Sequence, residues 1–250
     1  MRIRALGALT IAALLMAAIG CGAGGFFRPY EYEEEMYLSL DGSATVYVNS
    51  SIAALNALRG TTFDTDPRAR IDREQVSRYF ETAVTHVHGR VSTSRRINRQ
   101  FIHVRLDVSD VRRLHEAAPF AWSTYQFTRN DSLDVYKQEI GAPAAAATPA
   151  DRGWNGREVV AFRLHLPSKI TYHNTGSEPR RGNILVWEQP LAERLRGVPM
   201  TLEARMQTQS ILYRTLWLFG ATFVAVAMSF AVLLWWILRR GAREQTNMNV

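Results

Sequence analysis

The chain has 250 residues, of which 47% are hydrophobic, and this composition excludes a predominantly disordered protein. Its formal net charge of +7 is a balance often found in proteins that bind nucleic acid or anionic membranes. Because 24 basic and 22 acidic residues lie between positions 22 and 210, with no concentrated basic stripe, we predict no nucleic-acid partner. The single cysteine excludes an internal disulfide, so the fold depends on packing.

The N-terminal segment has the three-part pattern of a secretory signal. Two arginines precede an apolar stretch over residues 5–19, which is too short to span a bilayer comfortably. The sequence Ala18-Ile19-Gly20-Cys21 resembles the lipobox of bacterial lipoproteins. It predicts a signal peptide over residues 1–20, a lipid on Cys21 and a tether over residues 21–25. An uncleaved signal anchor and ordinary signal-peptidase cleavage remain the alternatives.

The C-terminal segment carries the strongest signal for location. Residues 216–238 contain no charged side chain and are long enough to cross the roughly 30 Å hydrocarbon layer, so we predict a transmembrane helix over 211–238. By the positive-inside rule, the arginines that follow predict a cytoplasmic tail over 239–250 and a main domain outside the bacterial cytoplasmic membrane. The predicted membrane-anchoring side chains are Trp217, Trp235, Trp236, Arg239 and Arg240.

Residues 26–207 are predicted to form an extracytoplasmic α+β domain with a mainly antiparallel sheet and two or three helices. Apolar and polar residues alternate with the period of half-buried strands. This alternation predicts hairpins over 30–48, 90–108 and 122–140 and further strands over 159–166, 170–174, 183–188 and 199–206. Residues 141–156, with two prolines and three glycines, are predicted to be a flexible loop.

Three consecutive glutamates lie in the first predicted strand. Alternation puts Glu34 on the opposite face from Glu33 and Glu35, so the three carboxylates cannot converge on one metal ion. We therefore predict a solvated strand face here.

The helices are predicted from capping residues and from apolar spacing. A short helix is predicted over 51–58, and a second begins at Asp72, which we expect to be its N-cap with Gln75 at the third helical position. Apolar residues at helical spacing continue to Val84, and residues 109–117 suit a third short helix.

The sequence contains no pattern typical of a catalytic or metal site. It has no phosphate loop, dinucleotide fingerprint, nucleophile elbow or H-E-x-x-H motif. His86 and His88 can share a strand face with His103 nearby, but no acidic ligand stands at a fixed spacing from them. Solvated or hydrogen-bonded histidines are therefore predicted, with no metal, no cofactor and no enzymatic activity.

The final strands carry a family resemblance. Pro167 is followed by Asn174 and then by Gly182-Asn183 and Trp187, while the opening hairpin turns at Asp41-Gly42. These positions resemble the LppM-like domain of bacterial lipoproteins over most of the predicted domain. The resemblance implies an α+β envelope domain with an apolar cavity for lipid-like molecules, and it supplies no catalytic residues. The residues themselves favour a structural role for this motif, in which Trp187 closes one end of a sheet rather than touching a ligand.

Two functional hypotheses follow from the location and the resemblance. The first is a membrane-tethered protein whose domain binds a lipid or amphiphile without catalysis, and a largely apolar cavity of several hundred cubic ångströms would favour it. The second is a ligand-free module that recruits envelope proteins, which a packed interior would favour. An envelope enzyme is a distant third hypothesis.

Overall fold

A computed structural model of the chain describes residues 30–96, 98–130, 132–144, 153–176 and 183–247. The predicted signal peptide, the lipidation at Cys21 and the tether over 21–25 lie outside the described residues. So do Gly182, the side chain of Arg240 and the central part of the predicted 141–156 loop.

The described residues form two β-sheets, a large one and a small one, with helices between and beside the strands. The large sheet has the order β10-β8-β1-β2-β5-β3, with β4 also paired to β5, and the small sheet has the order β6-β7-β11-β9. The strands are β1 Tyr30–Leu38, β2 Ala44–Ser51, β3 Thr85–Val87, β4 Ser92–Arg96, β5 Arg99–Val108, β6 Ser123–Asn130, β7 Leu133–Ile140, β8 Val159–His165, β9 Ser168–His173, β10 Ile184–Pro190 and β11 Met200–Ser210. The α-helices are α1 Ile52–Arg59, α2 Arg73–Phe80, α3 Leu191–Leu195 and α4 Ile211–Asn247.

Antiparallel pairing dominates both sheets, and the predicted α+β class is confirmed. The predicted hairpins are β1–β2, β4–β5 and β6–β7. One pair is parallel: β1 lies beside β8, with Glu34 opposite Phe162. The large sheet is therefore mixed, because β8 runs parallel to β1 on one side and antiparallel to β10 on the other.

The second helix begins at its predicted cap, Asp72, and the structure shows that Ser51 caps the first. The backbone N–H of Ala54 donates to Ser51 Oγ at 3.0 Å, and the N–H groups of Glu74 and Gln75 donate to Asp72 Oδ1 at 2.9 and 3.0 Å. Each cap thus satisfies donors that the first helical turn leaves without a partner. Helix α1 ends at Gly60, whose φ of 70° is the left-handed conformation that glycine adopts most easily.

We expect Asp72→Ala to lower the free energy of unfolding by about 1 kcal/mol, because two backbone donors lose their acceptor. Asp72→Asn is the matched control, since an asparagine side chain also caps helices and should retain most of the stability. Chemical unfolding of the full chain in detergent measures both variants. Equal stability of Asp72→Ala and the parent chain would contradict the capping role.

Two helical segments differ from the prediction: one ends earlier, and the other is not an α-helix. Helix α2 stops at Phe80, because Thr82 and Thr85 form a local hydrogen-bonded turn in which Thr85 Oγ1 donates to the Phe80 carbonyl at 2.7 Å. Residues Val111–Glu116 form a 3₁₀ helix rather than an α-helix. Asp110 caps it, and a second short 3₁₀ turn at Ala118–Phe120 contains Pro119, which cannot continue an α-helix.

The core lies between the inner faces of the two sheets and beside α1. Alternate residues of β1 and β2 are buried, as the period of two requires. The buried apolar residues form one cluster, whose largest fully buried members include Tyr32, Phe80, Phe120, Tyr136 and Phe162. This single core joins both sheets into one folding unit.

Helix α4 follows β11 with no intervening residue and leaves the domain. The stretch Thr215–Arg239 has 25 residues, and the most apolar 18-residue window within it has a mean hydropathy of 2.2 and is not buried within the protein. Trp217, Trp235 and Trp236 are all more than half exposed. The helix is long and apolar enough to cross a membrane, which is what the sequence predicts at this place.

Candidate functional site between the two sheets

A buried ion pair lies where the two sheets face each other. Glu34 on β1 and Arg59 at the end of α1 each expose 2% of their side chain, and Arg59 Nη2 lies 3.5 Å from Glu34 Oε2. Tyr32 connects them, because its hydroxyl donates to Glu34 Oε2 at 2.9 Å and accepts from Arg59 Nη2. The prediction of a solvated face at Glu34 is therefore wrong.

The position of Glu34 follows from the parity of β1. Glu34 shares the inner face with Met36 and Leu38, and the small sheet covers that face. Glu33 and Glu35 point to the outer face, where Glu33 pairs with Arg163 at 2.8 Å and Glu35 pairs with His165 at 2.6 Å. The alternation was predicted, but charge proved a poor guide to which face is buried.

Side chains of the small sheet complete the surroundings of Glu34. The Tyr125 hydroxyl and Gln138 Nε2 donate to Glu34 Oε1 at 3.5 and 3.4 Å, and the Tyr136 hydroxyl donates to Gln138 Oε1 at 2.8 Å. Burial raises the pKa of Glu34, while Arg59 and these donors oppose the shift. Burial also holds the pKa of Tyr125 and Tyr136 well above the usual range, so both hydroxyls remain donors.

Two arginines meet at one indole ring beside this ion pair. The guanidinium carbon of Arg59 lies 3.3 Å from the centre of the Trp122 ring, which is a close cation–π stack. The guanidinium carbon of Arg194, on α3, lies 5.8 Å from the same centre. Arg194 is completely buried, and its Nη2 donates to the carbonyl of Gly141 at 2.8 Å. We call Arg59, Trp122 and Arg194 the arginine cluster.

The arginine cluster contains more donors than the described protein can satisfy. Arg59 Nη1, Arg194 Nε, Arg194 Nη1 and Trp122 Nε1 are buried and have no hydrogen-bond partner in the described part of the chain. All four nitrogens are donors and none can accept. Burial lowers the pKa of Arg194, and the charge of Arg59 lowers it further. An arginine nevertheless stays protonated at neutral pH, so the cluster concentrates positive charge in a buried place.

A second buried ionic network is fully paired. Arg99 bridges Glu31 and Glu158, with Glu158 Oε1 at 3.4 Å from Arg99 Nη2. Trp154 Nε1 donates to Glu31 Oε2 at 3.2 Å, and the backbone N–H groups of residues 155 and 156 donate to Glu158. This network holds the C-terminal end of the predicted 141–156 loop against the large sheet, which is a structural role.

The motif residues at the last strands join the two sheets. Trp187, on β10 of the large sheet, is 7% exposed, and its Nε1 donates to Oδ1 of Asn174 at 2.9 Å. Asn174 follows β9 of the small sheet, and its Oδ1 also accepts from the backbone N–H of Glu203 at 2.9 Å. Asn183 has a φ of 58° and donates to the carbonyl of Ser168 at 2.9 Å. Pro167 separates β8 from β9.

Asp41 and Gly42 form the turn between β1 and β2. Asp41 Oδ1 accepts from the backbone N–H and the hydroxyl of Ser43, and these hydrogen bonds lower the pKa of Asp41. Gly42 has a φ of 91°, and a Cβ there would lie 3.4 Å from the Phe127 ring. Both residues therefore act locally in the turn.

The three histidines of the candidate metal arrangement do not converge. His86 contacts Glu81 at 2.8 Å, and His88 contacts Asp107 at 2.9 Å. His103 lies between Ser94 and Asn49 at 2.8 and 2.9 Å. Among the described residues, no group of three or more His, Cys, Asp or Glu side chains is arranged to hold a metal ion.

The described pockets of the folded domain are polar. One, of about 320 Å³, is lined by Arg70, Arg73 and Arg90 with Asp72 and Glu74, and another, of about 230 Å³, includes Asp41, Arg112, Arg129 and Asp134. Apolar grooves of about 610 and 760 Å³ lie along α4. In the part of the chain that the structure describes, open apolar grooves are thus found along α4.

The arginine cluster was not predicted from the sequence, although one signal for it exists. Arg194 lies between Leu191 and Leu195, both buried, at the spacing that puts it on the same face of α3. A charged residue on an apolar helical face indicates a buried charge that needs a partner.

Comparison with known proteins gives a distant structural likeness. No family model and no curated protein matches the chain. The structure is similar to the folded domain of the LppM protein of Mycobacterium tuberculosis, solved by NMR, with 13% identity and a TM-score of 0.40 over 74% of this chain and 94% of that domain. At this level of likeness, the α+β class rests on the sheets and helices described above.

The described residues define a class of protein. It has an α+β domain of two sheets, which continues directly into a helix long and apolar enough to cross a bilayer. This arrangement fits a membrane-associated protein.

Proposed function

We propose that this chain is a membrane-tethered protein of the bacterial cell envelope whose α+β domain lies outside the cytoplasmic membrane and binds a lipid or amphiphile without catalysis. The observation that carries the proposal is the direct passage from β11, which ends at Ser210, into the uncovered apolar helix that begins at Ile211. A domain joined to its membrane span without a linker stays beside the headgroups, where amphiphiles are concentrated.

The orientation is proposed from the charges that flank the span. Arg239 directly follows the apolar stretch, and Arg240 and Arg243 come next. Fusions at residue 250 test this orientation: green fluorescent protein should fluoresce there, and alkaline phosphatase should be inactive. The reverse pattern would overturn the proposed placement. Intact mass analysis of the membrane-extracted chain should show a lipid on Cys21, and an unmodified Cys21 would remove the second anchor.

Ligand binding by the domain is supported by the arginine cluster. Buried donors without acceptors are uncommon in folded proteins and often mark a functional place. Native mass spectrometry of the full chain in detergent should show an added mass of lipid size. A peptide covering residues 208–250 is the control, since lipids that adhere to the span will appear on both. An adduct on the peptide alone, or on neither, would contradict binding by the domain.

The alternative is a ligand-free interaction module, and the polar character of the two described domain pockets favours it. The outer strand β9 offers a contact edge, where Tyr172 is 44% exposed. Cross-linking in the native envelope tests this alternative with a photoreactive residue placed at position 172. A discrete cross-linked protein, together with a mass free of lipid, would support the interaction module over the lipid-binding function.

A further inference from the structure

We propose that the arginine cluster is a binding site for a phosphate-type oxyanion. The indole of Trp122 forms the platform, and the guanidinium groups of Arg59 and Arg194 with the indole N–H supply the donors. The part of the inference that concerns a lipid headgroup rests on the proposed function, whereas binding of the oxyanion itself does not.

The charge of the cluster favours an anion. Arg59 has a countercharge in Glu34, but Arg194 has none among the described residues, and the charged group that acts on it is Arg59. Two guanidinium groups and one carboxylate leave a net positive charge in a buried place. An uncompensated buried charge is strongly unfavourable, so a folded protein that retains one gains from an anionic partner.

The hydrogen-bonding capacity of the cluster agrees with its charge. The four buried nitrogens without partners belong to Arg59, Arg194 and Trp122, and each of them can only donate. A water molecule would accept one or two of these hydrogen bonds but would leave the charge uncompensated. An oxyanion with three or four oxygens supplies both the acceptors and the charge, and guanidinium groups suit it because their donors point outward in a planar fork.

Contacts within the protein already hold both guanidinium groups in place, so the site is preorganised. Arg59 is held by Tyr32 and by the stack on Trp122, and Arg194 is held by the Gly141 carbonyl. Little side-chain freedom is therefore lost when an anion binds. Trp122 is half-buried, so the cluster is not sealed from the surface at this residue.

Thermal unfolding of the full chain in an uncharged detergent tests the site with inorganic phosphate. At saturating phosphate, we expect the Tm to rise by about 5 °C or more above its value in chloride of equal ionic strength. Arg194→Met should raise the Kd for phosphate at least about tenfold. Without phosphate the same variant should be as stable as the parent chain or more so, because it removes an unpaired buried charge.

Two further variants separate binding from folding. Arg196→Met changes an exposed arginine two positions away and should keep the full response to phosphate. Trp122→Phe keeps the ring under Arg59 but removes the indole N–H, and we expect a weaker response with little change in the Tm without phosphate. Equal responses of the parent chain and Arg194→Met, or no response of the parent chain, would overturn the proposal.

The source of the oxyanion is identified by a lipid experiment on the same variants. The full chain is mixed with phosphatidylglycerol vesicles or with phosphatidylcholine vesicles and then analysed by native mass spectrometry. Loss of the phosphatidylglycerol adduct in Arg194→Met identifies a lipid headgroup, and a phosphate response with no such adduct on the parent chain identifies free phosphate. The latter result would reject the proposed lipid binding while keeping the oxyanion site.

Discussion

Replacing Arg59 with methionine will lower the free energy of unfolding by about 3–5 kcal/mol, because the substitution leaves Glu34 as an unpaired buried carboxylate. Glu34 and Arg59 each expose 2% of their side chain, so water cannot solvate the carboxylate that loses its partner. The stack of Arg59 on Trp122 is lost at the same time. Chemical unfolding of the full chain in detergent measures the loss, and phosphate is omitted so that ligand binding does not contribute.

A double variant shows how much of this loss comes from the charge. In Glu34→Gln combined with Arg59→Met, both charges are removed, and the glutamine oxygen can still accept from Tyr32 or Tyr125. We expect the double variant to recover more than half of the stability that Arg59→Met loses, since a buried pair is costly chiefly when one partner is missing. Arg78→Met is the control, because its pair with Glu74 is solvent-exposed and contributes little. If Arg59→Met lost no more stability than Arg78→Met, the stabilising role of the buried Glu34–Arg59 pair would be contradicted.

We therefore expect the two arginines at Trp122 to affect the free energy of unfolding with opposite signs. Arg59 compensates Glu34, so its removal destabilises the domain. Arg194 has no described countercharge, so its removal should not. The unpaired charge of Arg194 is expected to lower the free energy of unfolding. Its presence among preorganised donors is therefore explained better by ligand binding than by folding. Measuring both substitutions without phosphate distinguishes these roles before any ligand is identified.

The fold was predicted from the sequence where the relevant interactions are local. The hairpins β1–β2, β4–β5 and β6–β7 follow from alternation and from short turns, and the N-cap at Asp72 follows from its side chain. Such contacts form between neighbours in the chain, so a short window of sequence contains their determinants.

The sheet order was not predictable in the same way. The parallel pairing of β1 with β8 joins Glu34 to Phe162, and β11 lies between β7 and β9. Alternation identifies a strand and its apolar face but does not specify its neighbour, which depends on packing across the whole domain. The arginine cluster was missed for the same reason, since Arg59, Trp122 and Arg194 lie far apart in the chain.

The glutamate triplet shows how a correct pattern led to a wrong environment. Parity predicts that Glu34 lies on one strand face with Met36 and Leu38, whereas its charge predicts contact with solvent. In the structure, parity decides and the charge is compensated by Arg59, Tyr32 and the donors of the small sheet. Buried charges are therefore better sought where an ionisable residue shares the face of an apolar run.

Replacing Trp187 with alanine will lower the free energy of unfolding by about 3–5 kcal/mol, the range for deleting a large buried aromatic side chain. Trp187 pairs with Phe162 in the large sheet and is 7% exposed. Its indole donates to Asn174, beside β9 of the small sheet, so the substitution also removes a link between the sheets. Chemical unfolding of the full chain in detergent measures this loss as well.

Trp187→Phe separates the two contributions, because it keeps most of the aromatic volume and removes only the indole N–H. We expect it to lose about 1 kcal/mol, the usual net contribution of one hydrogen bond, and Asn174→Ala to lose more, since Asn174 Oδ1 also accepts from Glu203. Tyr172→Ala is the control on exposed β9 and should change little. If Trp187 served a ligand instead, Trp187→Phe would leave stability unchanged and abolish the lipid adduct. Because Trp187 lies at the junction of the sheets and not in the arginine cluster, we expect its removal to weaken the fold and leave the phosphate affinity of the remaining folded protein intact.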